Sequence, residues 1–91
     1  MIHGFGGGGP VFCRMVAKMR THFTVTMIDL LGLGGSGRPD FLSQEYEYAK
    51  NWFLDSIHEW TEKTGFAGEP FHLIGHSFGG TIAGMYAFEF P

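Results

Sequence analysis

Gly75-His76-Ser77-Phe78-Gly79 is the stretch that decides how the rest of the chain reads. A serine stands between two glycines, with the apolar run Pro70-Phe71-His72-Leu73-Ile74 before it and helix-forming sequence from Thr81 to about Phe90 after it. That context fits a sharp strand-to-helix turn that presents a nucleophilic hydroxyl. Glycines flank the serine because side chains at those positions would clash in so tight a turn. With 15 glycines in 91 residues, composition alone yields about 0.1 chance matches to Gly-x-Ser-x-Gly, so the strand and helix around it carry much of its weight. The competing reading of Ser77 is a plain helix N-cap in a glycine-rich turn.

Working outward, the glycines fall in three blocks, Gly4 to Gly9, Gly32 to Gly37 and Gly75 to Gly84, with ordinary apolar sequence between them. Pro10 opens a helix predicted to run to about Arg20, on which Val11, Phe12, Met15, Val16 and Met19 recur at helical spacing. Phe23-Thr24-Val25-Thr26-Met27-Ile28 is β-branched and apolar, the pattern of a short buried strand, and it ends at Asp29 and the second glycine block. Ser43 is the expected N-cap of a second helix carrying Tyr46, Ala49, Phe53, Ile57 and Trp60, with Gly65 as its stop. Ile2 is the last trace of apolar sequence before the first glycine block, so most of a first strand is expected to lie outside the chain, and residues 1–91 read as one α/β domain truncated at both ends. The order β-α-β-α-β-α predicts right-handed crossovers in a parallel sheet with flanking helices. All three glycine blocks then sit at carboxyl ends of strands and converge on one site.

The first block, His3-Gly4-Phe5-Gly6-Gly7-Gly8, has the form of a loop that supplies an amide to an oxyanion hole. A tetrahedral intermediate needs preorganised amide donors, and the backbone N–H groups of Phe5 and Phe78 are the candidates; the two side chains are expected to line an acyl pocket. His3 reads as a residue that orders this loop by hydrogen bonding, not as a base. The same block also spells Gly4-x-Gly6-x-x-Gly9, with Asp29 where a ribose-binding acid would sit in a dinucleotide-binding domain. Against that reading, Gly7-Gly8-Gly9-Pro10 delays the helix beyond the glycines, and Gly32-x-Gly34-x-x-Gly37 matches the pattern too without leading into a helix.

Other residue types carry less. Cys13 lies in an apolar helix stripe and reads as a core thiol, and Tyr46, Phe53 and Trp60 read as core packing. His22, His58 and His72 share no metal-ligand spacing and read as surface residues, while His76 is expected to point away from Ser77. A net charge of −3 without any basic run makes nucleic acid an unsuitable partner. A single cysteine precludes an internal disulfide, and no apolar run approaches membrane-spanning length. No cofactor or metal is expected.

Three blocks together, His3-Gly4-Phe5-Gly6-Gly7, Asp29-Leu30-Leu31-Gly32-Leu33-Gly34-Gly35-Ser36-Gly37-Arg38-Pro39 and Leu73-Ile74-Gly75-His76-Ser77-Phe78-Gly79-Gly80, resemble the α/β-hydrolase fold family. Ser56-Ile57-His58-Glu59-Trp60 and the closing Phe90-Pro91 are further similar to the subfamily of N-acyl-phosphatidylethanolamine lipase, the lipid-droplet lipase coactivator and cardiolipin phospholipases. The resemblance implies Ser77 as nucleophile, Phe5 and Phe78 as oxyanion donors, and His3, Gly4, Gly75 and Gly79 in support. It implies a lipid ester as substrate, hydrolysed through an acyl-enzyme as in lysophospholipase or N-acylphospholipid lipase chemistry, in the cytoplasm or at a membrane or lipid-droplet surface. The coactivator branch carries Asn at the nucleophile position, so Ser77 aligns the chain with the catalytic members; the alternative is a non-catalytic lipid-binding or lipase-regulating scaffold. In this fold an acid and then a histidine follow the serine, whereas after Ser77 the chain holds Glu89 and no histidine. The triad acid, the triad histidine and the lid are therefore expected outside these residues.

Overall fold

A computed structural model describes all 91 residues, Met1–Pro91. Its regular elements are the helices α1 (Cys13–Met19), α2 (Tyr46–Thr64) and α3 (Phe78–Glu89), with one 3-10 turn at Gly9–Phe12 and another at Phe66–Gly68. Ile2 makes parallel bridges to Ile28 on one side and to Gly75 on the other, which orders three segments with Met1-Ile2 in the middle. The expected sheet is thus reduced to a seed. Residues 23–27 and 70–74, read from sequence as the bulk of two strands, form no continuous strand, because a ladder needs a partner at every step and the central segment offers only Met1 and Ile2.

Proline at the first turn starts the first helix as expected, but as a 3-10 turn that becomes α-helical only at Cys13; Arg20 caps its end through Val16. No residue of α1 is buried, and Cys13 is exposed. Of the stripe that reads as core from its spacing, Phe12 is buried and Val16 and Met19 are half-buried, while Cys13 faces solvent and is not a core thiol.

The N-cap of α2 is Glu45 rather than Ser43, whose hydroxyl instead accepts the Glu45 N–H at 3.2 Å. Gly65 ends the helix in the left-handed region at φ 79°, a conformation that costs glycine little. The buried face of α2 is Leu54, Ile57 and Thr61, packed with Ile2, Leu30, Ile82, Ala83 and Tyr86. Phe53 packs half-buried against this core, Trp60 is half-buried and Tyr46 is exposed, so the aromatic stripe joins the core only in part. Thr61 is tolerated inside because its hydroxyl donates to the His58 carbonyl at 2.7 Å and lies 3.2 Å from Tyr86 Oη. His58 is half-exposed, with one face of its ring stacked on Phe90 at 4.0 Å and its Nδ1 3.3 Å from Tyr86 Oη.

His3 is fully buried. Its Nδ1 donates to the Gly4 carbonyl at 2.7 Å and its Nε2 accepts the Leu30 N–H at 2.9 Å, which ties the first glycine block to the second. His3→Ala strands the buried Leu30 N–H without an acceptor, a loss of about 1–3 kcal/mol. Hydrogen exchange at the Leu30 amide is expected to accelerate by about ten- to a hundredfold, since each 1.36 kcal/mol is a factor of ten; an unchanged rate would show that this bond does not hold the loop.

Candidate active site

Ser77 occupies the N-cap position of α3 with φ 56° and ψ −120°. It is the one residue other than glycine with positive φ, and its hydroxyl makes no capping bond to the helix. A serine kept only as a cap adopts β-region backbone and accepts an amide with its side-chain oxygen. Ser77 does neither: the Gly80 and Thr81 amides bond to its backbone carbonyl, at 2.9 and 3.2 Å, and leave the hydroxyl uncommitted. Such a conformation costs of order 1–3 kcal/mol and persists only where its surroundings enforce it.

The enforcement is visible at two glycines. A Cβ on Gly75 would run into the Gly79 carbonyl and lie 2.7 Å from the Gly80 Cα. A Cβ on Gly79 would strike the carbonyls of Ile2 and His3. The first turn of α3 is therefore pressed against both its own incoming segment and the central one. Gly4 completes the approach, since a Cβ there would sit 3.2 Å from Ser77 Cβ. Gly7 N–H closes a turn on the Gly4 carbonyl at 3.1 Å, with Phe5 and Gly6 at its tip and Gly6 at φ 75°.

The backbone N–H groups of Phe5 and Phe78 donate to no carbonyl within the chain. Phe78 is moreover the first residue of α3, where the helix dipole adds partial positive charge. The side chains do not line a shared acyl pocket: Phe5 is 84% exposed, and Phe78 packs edge-to-face on Phe53 at 5.3 Å.

The three glycine blocks do converge, as their placement predicts, and Asp29 is the residue that joins the first two. Its Oδ1 accepts the Gly9 N–H at 2.6 Å and its Oδ2 the Gly35 N–H at 2.8 Å. Both carboxylate oxygens are spent on the loops, so the residue that a dinucleotide site would reserve for ribose is not free to bind one. Gly34 at φ 55° is required beside it, because a Cβ there would fall 2.5 Å from the Asp29 carboxyl. Ser36 and Arg38 fasten the same loop through the Asp29 and Gly34 carbonyls, at 2.5 and 2.9 Å. The 20-residue spacing from Gly9 to Asp29 was the available signal, and only the folded loop shows which chemistry it serves.

The Gly9 and Gly35 amides hold the Asp29 carboxyl below its ordinary range. A depressed carboxyl contributes stability that is present above its unfolded value, near 3.9, and is lost as pH falls through the lower folded value. The Gly9 and Gly35 amide resonances are expected to titrate together, with a midpoint below 3.9, and Asp29→Asn should abolish that titration and loosen both loops at neutral pH. A midpoint at or above the ordinary value would refute the clasp.

No histidine is bonded to the Ser77 hydroxyl: His3 is engaged by Gly4 and Leu30, His58 by Tyr86, and His72 packs on Phe23. Glu89 lies at the far end of α3 near Lys50, and a helix of 12 residues puts about 18 Å between its ends. No helix is long and apolar enough to cross a membrane, and no group of three or more His, Cys, Asp or Glu is placed to hold a metal.

The structure places two parallel bridges at Ile2, helices beside them and a strained serine where the third segment passes into a helix. The chain belongs to the alpha/beta hydrolase fold family, whose family model matches residues 1–91. It is 42% identical over all of its length to a probable 1-acylglycerol-3-phosphate O-acyltransferase of Oryza sativa subsp. japonica, of which it covers 22%. It is 40% identical to an abhydrolase domain-containing protein of Caenorhabditis elegans, covering all of this chain and 20% of that one. Likewise it is 38% identical to the (lyso)-N-acylphosphatidylethanolamine lipase of Bos taurus, again over its whole length and 26% of the lipase. The chain thus spans about a fifth to a quarter of the curated relatives it matches. No solved structure matches it.

Proposed function

We propose that residues 1–91 carry the nucleophile and oxyanion half of a serine-dependent acyl-transfer site that acts on lipid esters. The observation that carries this reading is Ser77: a strained serine at a helix N-terminus whose hydroxyl does no capping. Ser77 Oγ attacks the ester carbonyl carbon while a histidine supplied from elsewhere in the full-length protein takes its proton, oriented by an acid. The carbonyl oxygen, negative in the tetrahedral intermediate, accepts the Phe5 and Phe78 amides, each worth about 2.7–4 kcal/mol where such donors have been removed. Collapse expels the lipid alcohol, which takes the proton from the histidine, and leaves the acyl group on Ser77. Water then releases the fatty acid.

The relatives' names support a lipid substrate, and they divide between lipases and acyltransferases. Both outcomes follow from one acyl-enzyme, which a lipid hydroxyl can resolve in place of water. The place of action in this reading is a membrane or lipid-droplet surface. A fluorophosphonate probe is expected to label the full-length protein once, at Ser77. A protein left unlabelled, with membrane binding intact after Ser77→Ala, would favour the lipid-binding scaffold instead.

A further inference from the structure

Charge is divided unevenly along the chain. Residues 1–28 hold Arg14, Lys18 and Arg20 and no acid, a net +3 with histidine neutral, whereas residues 29–91 hold nine acids against three cations, a net −6. The two lysines of the second part are matched, Lys50 by Glu47 at 3.1 Å and Lys63 by Glu59. Arg14, Lys18 and Arg20 are exposed and enter no ion pair within the chain.

Two of these cations share one face of α1. The helix turns Val16 and Met19 inward, and Met19 borders the same cavity as Met1 and Ile28. At about 100° per residue, Arg14 and Lys18 lie on the opposite side. The rest of the first strand, expected outside these residues, continues from Met1 on the inner side of α1 and so does not account for the outer face. Val11 and Met15 stand beside the two cations at helical spacings of three and four, and they are 61% and 47% exposed. The outer face is thus two cations interleaved with two apolar side chains, on an element without a carboxylate. It also starts where the candidate oxyanion loop stops, since Gly9 opens the 3-10 turn that leads into α1.

We propose that this face of α1 docks the protein on an anionic lipid bilayer. Arg14 and Lys18 sit among the charged headgroups, and Val11 and Met15 enter the boundary beneath them. The interleaving selects a bilayer over an acidic protein or a nucleic acid, because only the bilayer offers apolar depth directly under a layer of negative charge. A surface held along α1 lies beside the loop that carries Phe5, so docking brings lipid esters to the mouth of the site. The inference rests on the proposed function for that purpose alone.

The test uses the full-length protein and vesicles of phosphatidylcholine, with and without about a third of phosphatidylserine. Binding to the anionic vesicles is expected to be about tenfold tighter or more, and to weaken as salt rises from about 0.1 to about 1 M and the Debye length falls from about 10 to about 3 Å. Each cation at such a surface is worth about fivefold in partition, so Arg14→Gln with Lys18→Gln should weaken binding about 25-fold. Hydrolysis of a soluble short-chain ester by that variant should stay at the parent rate. Lys50→Gln with Lys63→Gln removes the same net charge from α2 and should change binding less than about twofold. Equal losses in the two double variants would reduce the effect to net charge and overturn the proposal. So would anionic binding that the Arg14 and Lys18 changes leave intact, the result expected if an acidic protein segment covers α1. Ser77→Ala should bind vesicles as the parent does, so a failure of the serine chemistry and a failure of this docking face are read separately.

Discussion

Ser77→Ala in the full-length protein is expected to lower ester turnover by about 10⁶-fold, the loss that follows removal of the nucleophile from a serine triad. The size of the effect comes from the loss of the covalent step itself. With alanine, the amides of Phe5 and Phe78 proposed as the oxyanion donors are left in place, so a residual rate about 10³–10⁴-fold above water is expected to survive. The fold should survive as well. Alanine keeps the Cβ that meets Gly4, and the removed hydroxyl makes no capping bond to α3. Substrate binding to the variant is therefore expected to stay within a few fold of the parent, while kcat collapses. Steady-state kinetics with a lysophospholipid and with a short p-nitrophenyl ester would read both quantities. A variant retaining more than about a hundredth of the parent kcat would remove Ser77 from the chemistry, because no acyl-enzyme could then lie on the main path.

How much of this could be read in the sequence differs from residue to residue, and the differences have physical causes. The serine turn was legible because its demands are local: two glycines and a strand-to-helix change within a few residues. His3 was legible for a related reason, since a histidine just before a glycine loop has few uses other than ordering it. Asp29 was visible but ambiguous, because one spacing serves a ribose acid or a loop clasp, and only the meeting of Gly9 with Gly35 decides. The strand Phe23–Ile28 was overdrawn for another reason. Its β-branched composition states a preference, while a strand is a relation between segments, and the central segment supplies two residues. Cys13 was misplaced because a stripe at helical spacing records what a helix could bury and not whether anything covers it. Thr61 shows the converse, a polar residue that enters the core because the His58 carbonyl and Tyr86 Oη satisfy its hydroxyl.

Residues 1–91 taken alone are expected to show no Ser77-dependent turnover and no sharp thermal transition. The catalytic half follows from what surrounds Ser77. No histidine is bonded to its hydroxyl, and Glu89 stands at the opposite end of α3, where it pairs with Lys50 at 3.9 Å. A general base contributes commonly 10²–10⁴-fold, and without one the nucleophile keeps the weak reactivity of an ordinary hydroxyl. The thermal half follows from the core. Twelve of the 91 residues are buried, and Phe23, Leu42 and Phe88 are among the large apolar side chains left in water. Residues 23–27 and 70–74 also form no continuous strand on either side of Ile2. A cooperatively folding domain of this length absorbs about 60 kcal/mol on melting, near 0.7 kcal/mol per residue. Calorimetry of the isolated chain is expected to give a broad transition well below that enthalpy, together with binding of a dye specific for exposed apolar surface. Ser77-dependent hydrolysis of a p-nitrophenyl ester by a monomer with a sharp, full-enthalpy transition would show that this chain assembles a base and a complete core from its own residues.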